Sequence, residues 1–392
     1  MTINPQDKKL MNEIREFLLP KKHYVKRRAQ GYLKHDYLVP GGYYSEQWDW
    51  DAFFIGVALA SEISSEAIYL KNWALNYFTI VKDDGYAPAC ITSKGPETNH
   101  RAMLTKPFIA QGALLASRFL QDFSWIKPNY AKLVKMVLYR EKNLWSKEFD
   151  LPVWGNWMES GADNNPSILN FEPGTVIACD LSTFVYRNYL AMSKIAYEFN
   201  IKKDATFFKK RASEIKLNMQ KYLWDQTDDT FYNFSTINKQ FIKHHSYSNM
   251  VPLWEHIASD ADGKKMIKKY IINPKKMWAK YGIRTLSKDD KLYNQKNIIH
   301  PYSNWQGPVW PICNYLHMWG LLQYGFKKEA IDVARKITKI CINDLKKTGG
   351  MHEDYNAETG KPLAADNFVS WNLLVGNMIL DCYNNSNPFQ IK

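Results

Sequence analysis

The sequence has no long hydrophobic run. Its longest apolar stretch contains the segment 53–60, FFIGVALA, and is far shorter than the about 20 apolar residues of a helix that crosses a bilayer. The opening residues, MTINPQDKKLMNEIREF, also lack the apolar segment of a signal peptide. We therefore expect a cytoplasmic protein that has no membrane partner.

Cysteine and arginine are scarce. The five cysteines are far apart, and no Cys or His spacing is typical of a metal site, so we expect reduced thiols and no metal. They are Cys90, Cys179, Cys313, Cys341 and Cys382. Only 10 of the 52 basic residues are arginine, and the lysines are spread along the chain. Despite a net charge of +13, we expect no nucleic-acid partner. No phosphate-binding glycine loop is evident either, so we expect no cofactor.

Aromatic residues are abundant, at 15% of the chain, with 14 Trp and 24 Tyr. Most of these rings belong in a core, but a sugar also stacks on such flat apolar faces. With 45% hydrophobic and 23% charged residues, the composition is that of a folded globular protein.

Apolar residues recur at helical spacing in three long segments, 181–199, 208–223 and 330–341. This period predicts amphipathic helices with one buried face each. Strand patterns are rare, and 225–234, DQTDDTFYNF, is the clearest candidate for a β-hairpin.

Six loops of a different character separate the helical segments. They are rich in Gly, Pro, Trp, Asn and carboxylates, and they recur every 50 to 80 residues or so. They span 41–51, 85–106, 154–166, 244–249, 300–310 and 349–360. Each interval accommodates two helices and a return loop. We therefore predict an all-α (α/α)6 toroid with small β-hairpin insertions, formed by residues 1–392 as one catalytic domain, with all six loops at one mouth.

Two carboxylates in these loops have surroundings that suit catalysis. Hydrolysis of a glycoside needs one acid to protonate the leaving oxygen and a second carboxylate to activate water or to attack. Asp163 follows two tryptophans and Gly161, and nearby aromatic rings raise the pKa of a carboxyl, as a general acid requires. Glu353 lies in a loop that begins with two glycines.

Four segments resemble the trehalase-like (α/α)6 clan, in particular the bacterial branch of glycoside hydrolase family sixty-three. They are WDWDAFF (48–54), GNWMESGADNNP (155–166), SNWQGPVW (303–310) and GGMHEDYNAETGKPL (349–363). That branch includes mannosylglycerate and glucosylglycerate hydrolases and α-glucosidases. The resemblance extends over residues 40–375 or so.

The resemblance implies an inverting mechanism in which Asp163 is the general acid and Glu353 is the general base. It also implies that two segments face the sugar, the pair Trp50 and Asp51 and the pair Trp305 and Gln306. The full set of residues that we expect to bind substrate is Tyr44, Trp48, Trp50, Asp51, Tyr86, Gln111, Trp157, Gly161, Trp305 and Gln306. We expect Glu159 to brace its loop.

Two positions depart from the family pattern. Asn164 and Asn165 follow the acid where relatives often have an arginine or an aromatic residue, and Asn356 replaces a common aspartate. Both changes concern the substrate more than the chemistry.

Other functions remain open from the sequence alone. A sugar epimerase on the same toroid would use histidine bases. The candidates are His244, His245, His300 and His352. A carbohydrate-binding protein without activity is the third possibility.

The expected substrate is a small α-glucoside or α-mannoside. Four cations, Lys94, His100, Arg101 and Lys106, lie beside Glu97 in the second loop. A charge-assisted hydrogen bond from one of them suits an acidic aglycone such as glycerate.

Overall fold

The predicted helices form in the places that their periodicity indicates. In the computed structural model, which describes residues 3–97 and 103–391, the three longest helices cover the three predicted segments. The α-helices are α1 Pro5–Leu18, α2 Asp49–Glu62, α3 Ala67–Ile80, α4 Ile109–Leu120, α5 Tyr130–Asn143, α6 Cys179–Glu198, α7 Lys202–Tyr222, α8 Tyr247–Met250, α9 Asp260–Met266, α10 Pro311–Gln323, α11 Lys327–Thr348 and α12 Val375–Asn384.

Shorter helical turns extend or connect these helices. The 3-10 turns are Leu19–Val25, Ser64–Glu66, Lys127–Asn129, Met158–Ser160, Val251–Glu255 and Ser370–Leu374, and Ile267–Ile271 is a π-helical turn. Two of them, Val251–Glu255 and Ser370–Leu374, complete inner segments of the ring described next.

Six helical segments form a closed inner ring. In order they are α2, α4, α6, α8 with Val251–Glu255, α10, and Ser370–Leu374 with α12. Each segment contacts the next, and Ser370–Leu374 returns to contact α2. Helices α3, α5, α7, α9, α11 and α1 alternate with them along the chain and form the outer layer. The predicted (α/α)6 toroid is confirmed.

Burial follows this division into two layers. Inner helix α2 is buried over every residue from Asp49 to Ala60, as its apolar sequence requires. Outer helix α7 buries only four positions on one face, because its other faces meet solvent. The aromatic residues fill the space between the layers, and six tryptophans are almost completely buried.

The strands are short and lie in the loops. They are β1 Lys26–Arg27, β2 Tyr37–Leu38, β3 Gln47–Trp48, β4 Cys90–Thr92, β5 Gly95–Pro96, β6 Trp145–Ser146, β7 Leu151–Pro152, β8 Val176–Ile177, β9 Trp224–Asp225, β10 Thr230–Phe231, β11 Asn233–Ser235, β12 Gln240–Ile242, β13 Asp354–Tyr355 and β14 Pro362–Leu363. The predicted hairpin at 225–234 is confirmed as β9 and β10. Its last residues continue into β11, which pairs with β8 and β12.

Two antiparallel pairings place loops that carry predicted site residues. Strand β3 pairs with β4, which joins the loop before α2 to the second loop. Strand β13 pairs with β14 immediately after Glu353. All five cysteines are buried free thiols. Among the described residues, no helix combines the length and the apolar character that crossing a membrane requires.

Candidate active site

A pocket of about 700 Å³ opens where the loops of the inner ring meet. We call it the inner pocket. Its lining residues are Pro40, Tyr44, Trp48, Trp50, Asp51, Met103, Lys106, Met158, Gly161, Asp163, Ser303, Glu353, Phe368 and Trp371. Seven of the twelve predicted site residues, including both candidate catalytic carboxylates, are therefore brought together here.

The Asp163 carboxylate is held at one of its two oxygens. The backbone amide and the hydroxyl of Ser303 both donate to Oδ2, at 3.1 and 2.7 Å. Burial raises the pKa of Asp163, while the Ser303 bonds and the positive charge of Lys106 act in the opposite direction. Oδ1 is left available to carry a proton toward the pocket.

The segment that contains Ser303 also fixes the loop around Asp163. The Trp305 backbone amide donates to Asn164 Oδ1 at 2.6 Å, and Gln306 Nε2 donates to the Asn164 carbonyl at 2.9 Å. The Asn164 amide in turn lies 3.4 Å from Asn304 Oδ1. Asn164, one of the departures from the family pattern, is thus the residue through which two sequence motifs dock.

Gly161 permits a close approach that a side chain would block. Its φ is +74°, and a Cβ placed there would lie 2.6 Å from Cζ2 of Trp50. The backbone therefore passes over the Trp50 ring at the edge of the inner pocket. Glu159, just before it, is buried, pairs with Arg140 and accepts a hydrogen bond from the Gly155 amide at 2.8 Å. These contacts agree with the bracing role expected for Glu159.

Glu353 is held differently from Asp163. Its backbone amide donates to the Ala365 carbonyl at 3.0 Å, which fixes the main chain beside β14. Its carboxylate receives no side-chain hydrogen bond from the described part of the chain, although the nearby Ala365 amide lowers its pKa slightly. Burial, followed by the charges of Asp354 and Asp163, raises the pKa of Glu353 well above its usual value. The carboxylate remains open toward the pocket, where water or substrate can reach it.

The first turn of α2 supplies two carboxylates and a ring. Carboxylates are favourable at a helix N-terminus, because the macrodipole is positive there. Asp51 accepts a hydrogen bond from the Ser370 hydroxyl at 2.7 Å, and burial raises its pKa to about 7. Asp49 accepts the backbone amides of Lys106 and Trp50, at 2.6 and 2.7 Å.

A second pocket of about 850 Å³ adjoins the inner pocket. We call it the outer pocket. Its lining residues are Tyr43, Tyr44, Glu46, Trp48, Cys90, Glu97, Asp163, Ile299, His300, Pro301, Ser303 and Glu353. Both pockets contain Asp163 and Glu353, so the two carboxylates lie at their junction. A bond that crosses this junction would lie between an inner sugar and an outer group.

Five predicted substrate-binding residues are not among those that line either pocket. Gln111 is fully buried, and its amide and carbonyl contact Pro107, Phe184 and Arg187. Trp305 is fully buried and stacks on Trp310, with ring centroids 4.0 Å apart. In these places both residues hold the scaffold together.

The other three of these five residues also contact protein groups. The ring of Tyr86 packs edge-on against Tyr139, and Trp157 packs edge-on against Tyr302. The Gln306 side chain donates a hydrogen bond to the Asn164 carbonyl and accepts one from the Asn294 amide. Trp305 and Gln306 thus support the loop around Asp163, and a direct sugar contact from either residue stays a prediction.

The charged residues of the second loop are dispersed in the structure. Lys94 is exposed at the turn between β4 and β5, and Lys106 is buried in the inner pocket. His100 and Arg101 lie outside the described residues. Lys106 therefore lies in the same pocket as Asp163 and Glu353, and its expected contact with an acidic aglycone stays a prediction.

Ser303, Ser370 and Trp371 are site residues that were not identified from the sequence. Ser303 contacts Asp163, Ser370 contacts Asp51, and Trp371 packs 5.1 Å from Trp50. The position of Ser303, at the start of SNWQ, was a usable signal. Ser370 and Trp371 follow the 349–363 segment, which contains Glu353, but they belong to no motif of their own.

Metal chemistry has no evident ligand set within residues 3–97 and 103–391. No group of three or more His, Cys, Asp or Glu side chains is arranged there to hold an ion. The expectation that no metal is needed stays a prediction.

The closed helical ring and the paired carboxylates at its mouth are the features of the trehalase-like glycoside hydrolases. Residues 43–371 match the family model described as the mannosylglycerate hydrolase MGH1-like glycoside hydrolase domain. The chain therefore belongs to this family of glycoside hydrolases.

Known structures agree with this membership. The mannosylglycerate hydrolase of Thermus thermophilus superposes with a TM-score of 0.71 at 16% identity, covering 94% of this chain and 99% of that one. A neutral trehalase of Saccharomyces cerevisiae gives 0.65 at 16% identity, covering 90% of this chain and 74% of that one. At these identities the likeness concerns the fold.

Curated relatives are distant and longer. A trehalase of Apis mellifera is 20% identical over 83% of this chain, and a mannosylglycerate hydrolase of Rubrobacter radiotolerans is 24% identical over 42% of it. These matches cover 59% and 35% of the two relatives, so the chain spans only part of their length.

Proposed function

We propose that the protein is an inverting α-glycosidase that hydrolyses a small α-glucoside or α-mannoside. The observation that carries the proposal is the place of Asp163 and Glu353, which both line the inner and the outer pocket. A glycosidic bond across that junction is flanked by two carboxylates, the arrangement that glycoside hydrolysis uses.

In the proposed reaction, Asp163 is protonated and gives its proton to the glycosidic oxygen as the bond to the anomeric carbon breaks. Glu353 removes a proton from a water molecule, whose oxygen attacks the anomeric carbon from the opposite face. The products are a β-configured free sugar and the protonated leaving group. The two carboxyl groups should then be roughly 6.5–9.5 Å apart, which leaves room for the water.

The contacts of each carboxylate suit the role assigned to it. Both hydrogen bonds to Asp163 reach Oδ2, so the other oxygen can carry the transferred proton. Glu353 lines both pockets, and no side-chain donor of the described residues occupies its carboxylate, so a water molecule can approach it.

An epimerase that relies on histidine bases receives less support. His244 pairs with Asp290, and His352 pairs with Asp344, at 2.8 and 2.9 Å. His245 contacts the Tyr232 hydroxyl at 2.7 Å, and burial lowers its pKa to about 4. Of the four histidines considered, His300 alone lines one of the two described pockets. The retained pair of carboxylates also weighs against a binding protein without activity.

The aglycone has two candidates. The family description and the neighbours named as mannosylglycerate hydrolases favour glycerate. Glu46 lines the outer pocket, where no lysine or arginine of the described ranges joins it, and this favours a neutral aglycone. Comparing kcat/KM for glucosylglycerate, mannosylglycerate and trehalose would separate them.

The stereochemistry of hydrolysis tests the proposal. Proton NMR during the first turnovers should show the β-anomer of the sugar before mutarotation. A first-formed α-anomer would indicate retention and remove the assigned role of Glu353. An isomerised sugar with no bond cleaved would support the epimerase.

Three further expectations from the sequence, on domain organisation, location and cofactors, are part of the proposal. We propose that residues 1–392 form one catalytic domain, that the protein acts in the cytoplasm, and that it needs neither metal nor cofactor. Dialysis against EDTA should leave kcat unchanged, and a loss restored by one cation would contradict this.

A further inference from the structure

Lys106 is a buried cation that the proposed reaction does not use. Its side chain is 4% exposed and lines the inner pocket. Burying an ammonium group costs free energy unless partners replace its hydration. The contacts of Lys106 therefore show what else the group can bind.

The partners within the protein are two. Nζ donates to Asp49 Oδ1 at 3.2 Å, and it lies 5.0 Å from the centroid of the Trp50 ring, within range of a cation–π contact. An ammonium group has three N–H donors. Asp49 accepts one of them, and the described residues provide no acceptor for the others.

The direction of the side chain places these spare donors on the sugar side of the junction. Lys106 lines the inner pocket together with Trp50 and Asp51, and it is absent from the lining of the outer pocket. The aliphatic part of Lys106 and the Trp50 ring both pack against Gly161, whose missing side chain leaves room for them.

We infer that Lys106 Nζ contacts the substrate, donating hydrogen bonds to hydroxyl groups of the glycosyl residue in the inner pocket. This inference rests on the proposed function, because it takes the inner pocket as the glycosyl site. Asp51, beside it, supplies acceptors for the same sugar. A charged donor and a carboxylate acceptor together can bind adjacent hydroxyls, which makes Lys106 a specificity residue.

The charges around Lys106 also define the class of sugar. Asp163 is protonated in the proposed reaction, but Asp49, Asp51 and Glu353 place carboxylates around the inner pocket or its cation. A uronosyl carboxylate would face this excess of negative charge, whereas a neutral hexosyl residue would not. The inner pocket should therefore select a neutral sugar with a hydroxyl directed at Lys106.

Calorimetric titration with free sugars tests the inference without depending on catalysis. Glucose, mannose, glucuronate and the 2-, 3-, 4- and 6-deoxy derivatives of the better neutral ligand would be titrated into the wild type and Lys106→Met. In the wild type, loss of the hydroxyl that Lys106 contacts should weaken binding about 10- to 100-fold. Lys106→Met should weaken the parent sugar by a similar factor and become insensitive to that one deoxygenation. Glucuronate should bind the wild type more weakly than glucose.

Lys336 provides a matched control. Its Nζ lies 3.0 Å from Asp332 and 4.0 Å from the Trp278 ring centroid, so it has the same kinds of partner, but it lines neither pocket. Lys336→Met should leave all the affinities unchanged. If Lys106→Met does not fold, the double variant Lys106→Met with Asp49→Asn removes both charges together and allows the same deoxy-sugar comparison.

Three results would overturn the inference. They are unchanged affinity in Lys106→Met, an equal loss for the parent and every deoxy sugar, or tighter binding of glucuronate than of glucose. Its failure is separable from failure of the proposed function. Hydrolysis with inversion but no Lys106 dependence would remove the inference alone, whereas Lys106-dependent sugar binding without hydrolysis would remove the proposed function alone.

Discussion

The loop that carries Asp163, residues 155–167, and the loop that carries Glu353, residues 349–366, bring one carboxylate each to the same pocket by different means. Ser303 donates two hydrogen bonds to the Asp163 carboxylate, and Asn164 joins the loop of Asp163 to the 303–306 segment by accepting the Trp305 amide. Glu353 is fixed through its backbone beside β14, while its carboxylate lacks a side-chain donor from the described part of the chain. These contacts fit the proposed roles of the two residues. A general acid must direct its proton at the glycosidic oxygen, so a fixed carboxyl suits Asp163. A general base must leave room for a water molecule, so an open carboxylate suits Glu353.

The largest expected effect on activity comes from replacing either of the two carboxylates that the loops carry. Asp163→Asn and Glu353→Gln should each lower kcat by about three orders of magnitude or more, because each group has a separate role in the reaction. Steady-state kinetics with unchanged thermal unfolding would check this. A variant that keeps a tenth of the wild-type kcat would take its residue out of the mechanism.

A smaller effect is expected when one of the hydrogen bonds that hold Asp163 is removed. Ser303→Ala removes the hydroxyl bond to Asp163 and should lower kcat by about 10- to 100-fold, because the acid is less well oriented. The lost bond lowered the pKa of Asp163, so its pKa should rise further in the variant. The alkaline limb of the pH–rate profile should then move to higher pH. An unchanged limb would show that Ser303 does not act on the acid.

The pKa of Glu353, the proposed base, can be changed through the adjacent residue Asp354. Asp354 is completely buried, and neither of its oxygens has a hydrogen-bond partner among the described residues. Burial raises the pKa of Asp354 well above its usual value, and where Asp354 is ionised its charge raises the pKa of Glu353. Asp354→Asn should therefore lower the pKa of Glu353 and move the acidic limb to lower pH. We expect a change of a few-fold in kcat near neutral pH. Movement of the alkaline limb instead would assign Asp354 to the acid.

The motifs predicted which residues of the two loops reach the pocket better than they predicted the contacts that hold these residues in place. Asp163, Glu353, Trp50 and Asp51 each stand in a short local pattern, so their place in the pocket could be anticipated. The contact of Ser303 with Asp163 joins residues 140 positions apart, and the SNWQ motif marks Ser303 but does not identify its partner. Distances of that kind depend on how the ring closes.

Side-chain direction was also beyond the sequence. Gln111 lies in the first turn of α4, near the predicted mouth, yet it bonds to Arg187 inside the ring. Lys106 lines the inner pocket and not the outer one, and nothing in its loop indicates which of the two pockets it enters. Spacing along a chain gives the period of a helix, but the rotation of that helix about its axis is set by tertiary packing.

The smallest expected effect on activity concerns a carboxylate outside the site. Asp381 is buried on α12, accepts a bond from the Tyr315 hydroxyl at 2.9 Å, and has a pKa raised to about 7. A raised pKa in the folded state means that the native protein binds more protons than the unfolded chain between about pH 4 and 7. The free energy of unfolding should therefore fall as pH rises through that window.

Asp381→Asn should remove this part of the pH dependence, which is roughly 4 kcal/mol at most. Urea unfolding at pH 5 and pH 8 would show a smaller loss of stability in the variant, and kcat should stay at the wild-type value. A large loss of activity would show that Asp381 matters beyond stability, and an unchanged pH dependence would contradict its raised pKa.

The difference between the two loops is tested most directly with a substrate whose leaving group needs no proton. α-Glucosyl or α-mannosyl fluoride, whichever the wild type hydrolyses faster, would be given to Asp163→Asn and Glu353→Gln. The account predicts that Asp163→Asn recovers most of the wild-type rate on the fluoride, because acid catalysis is no longer required, while Glu353→Gln stays inactive. Recovery by Glu353→Gln, or by neither variant, would contradict the assignment of Asp163 as acid and Glu353 as base.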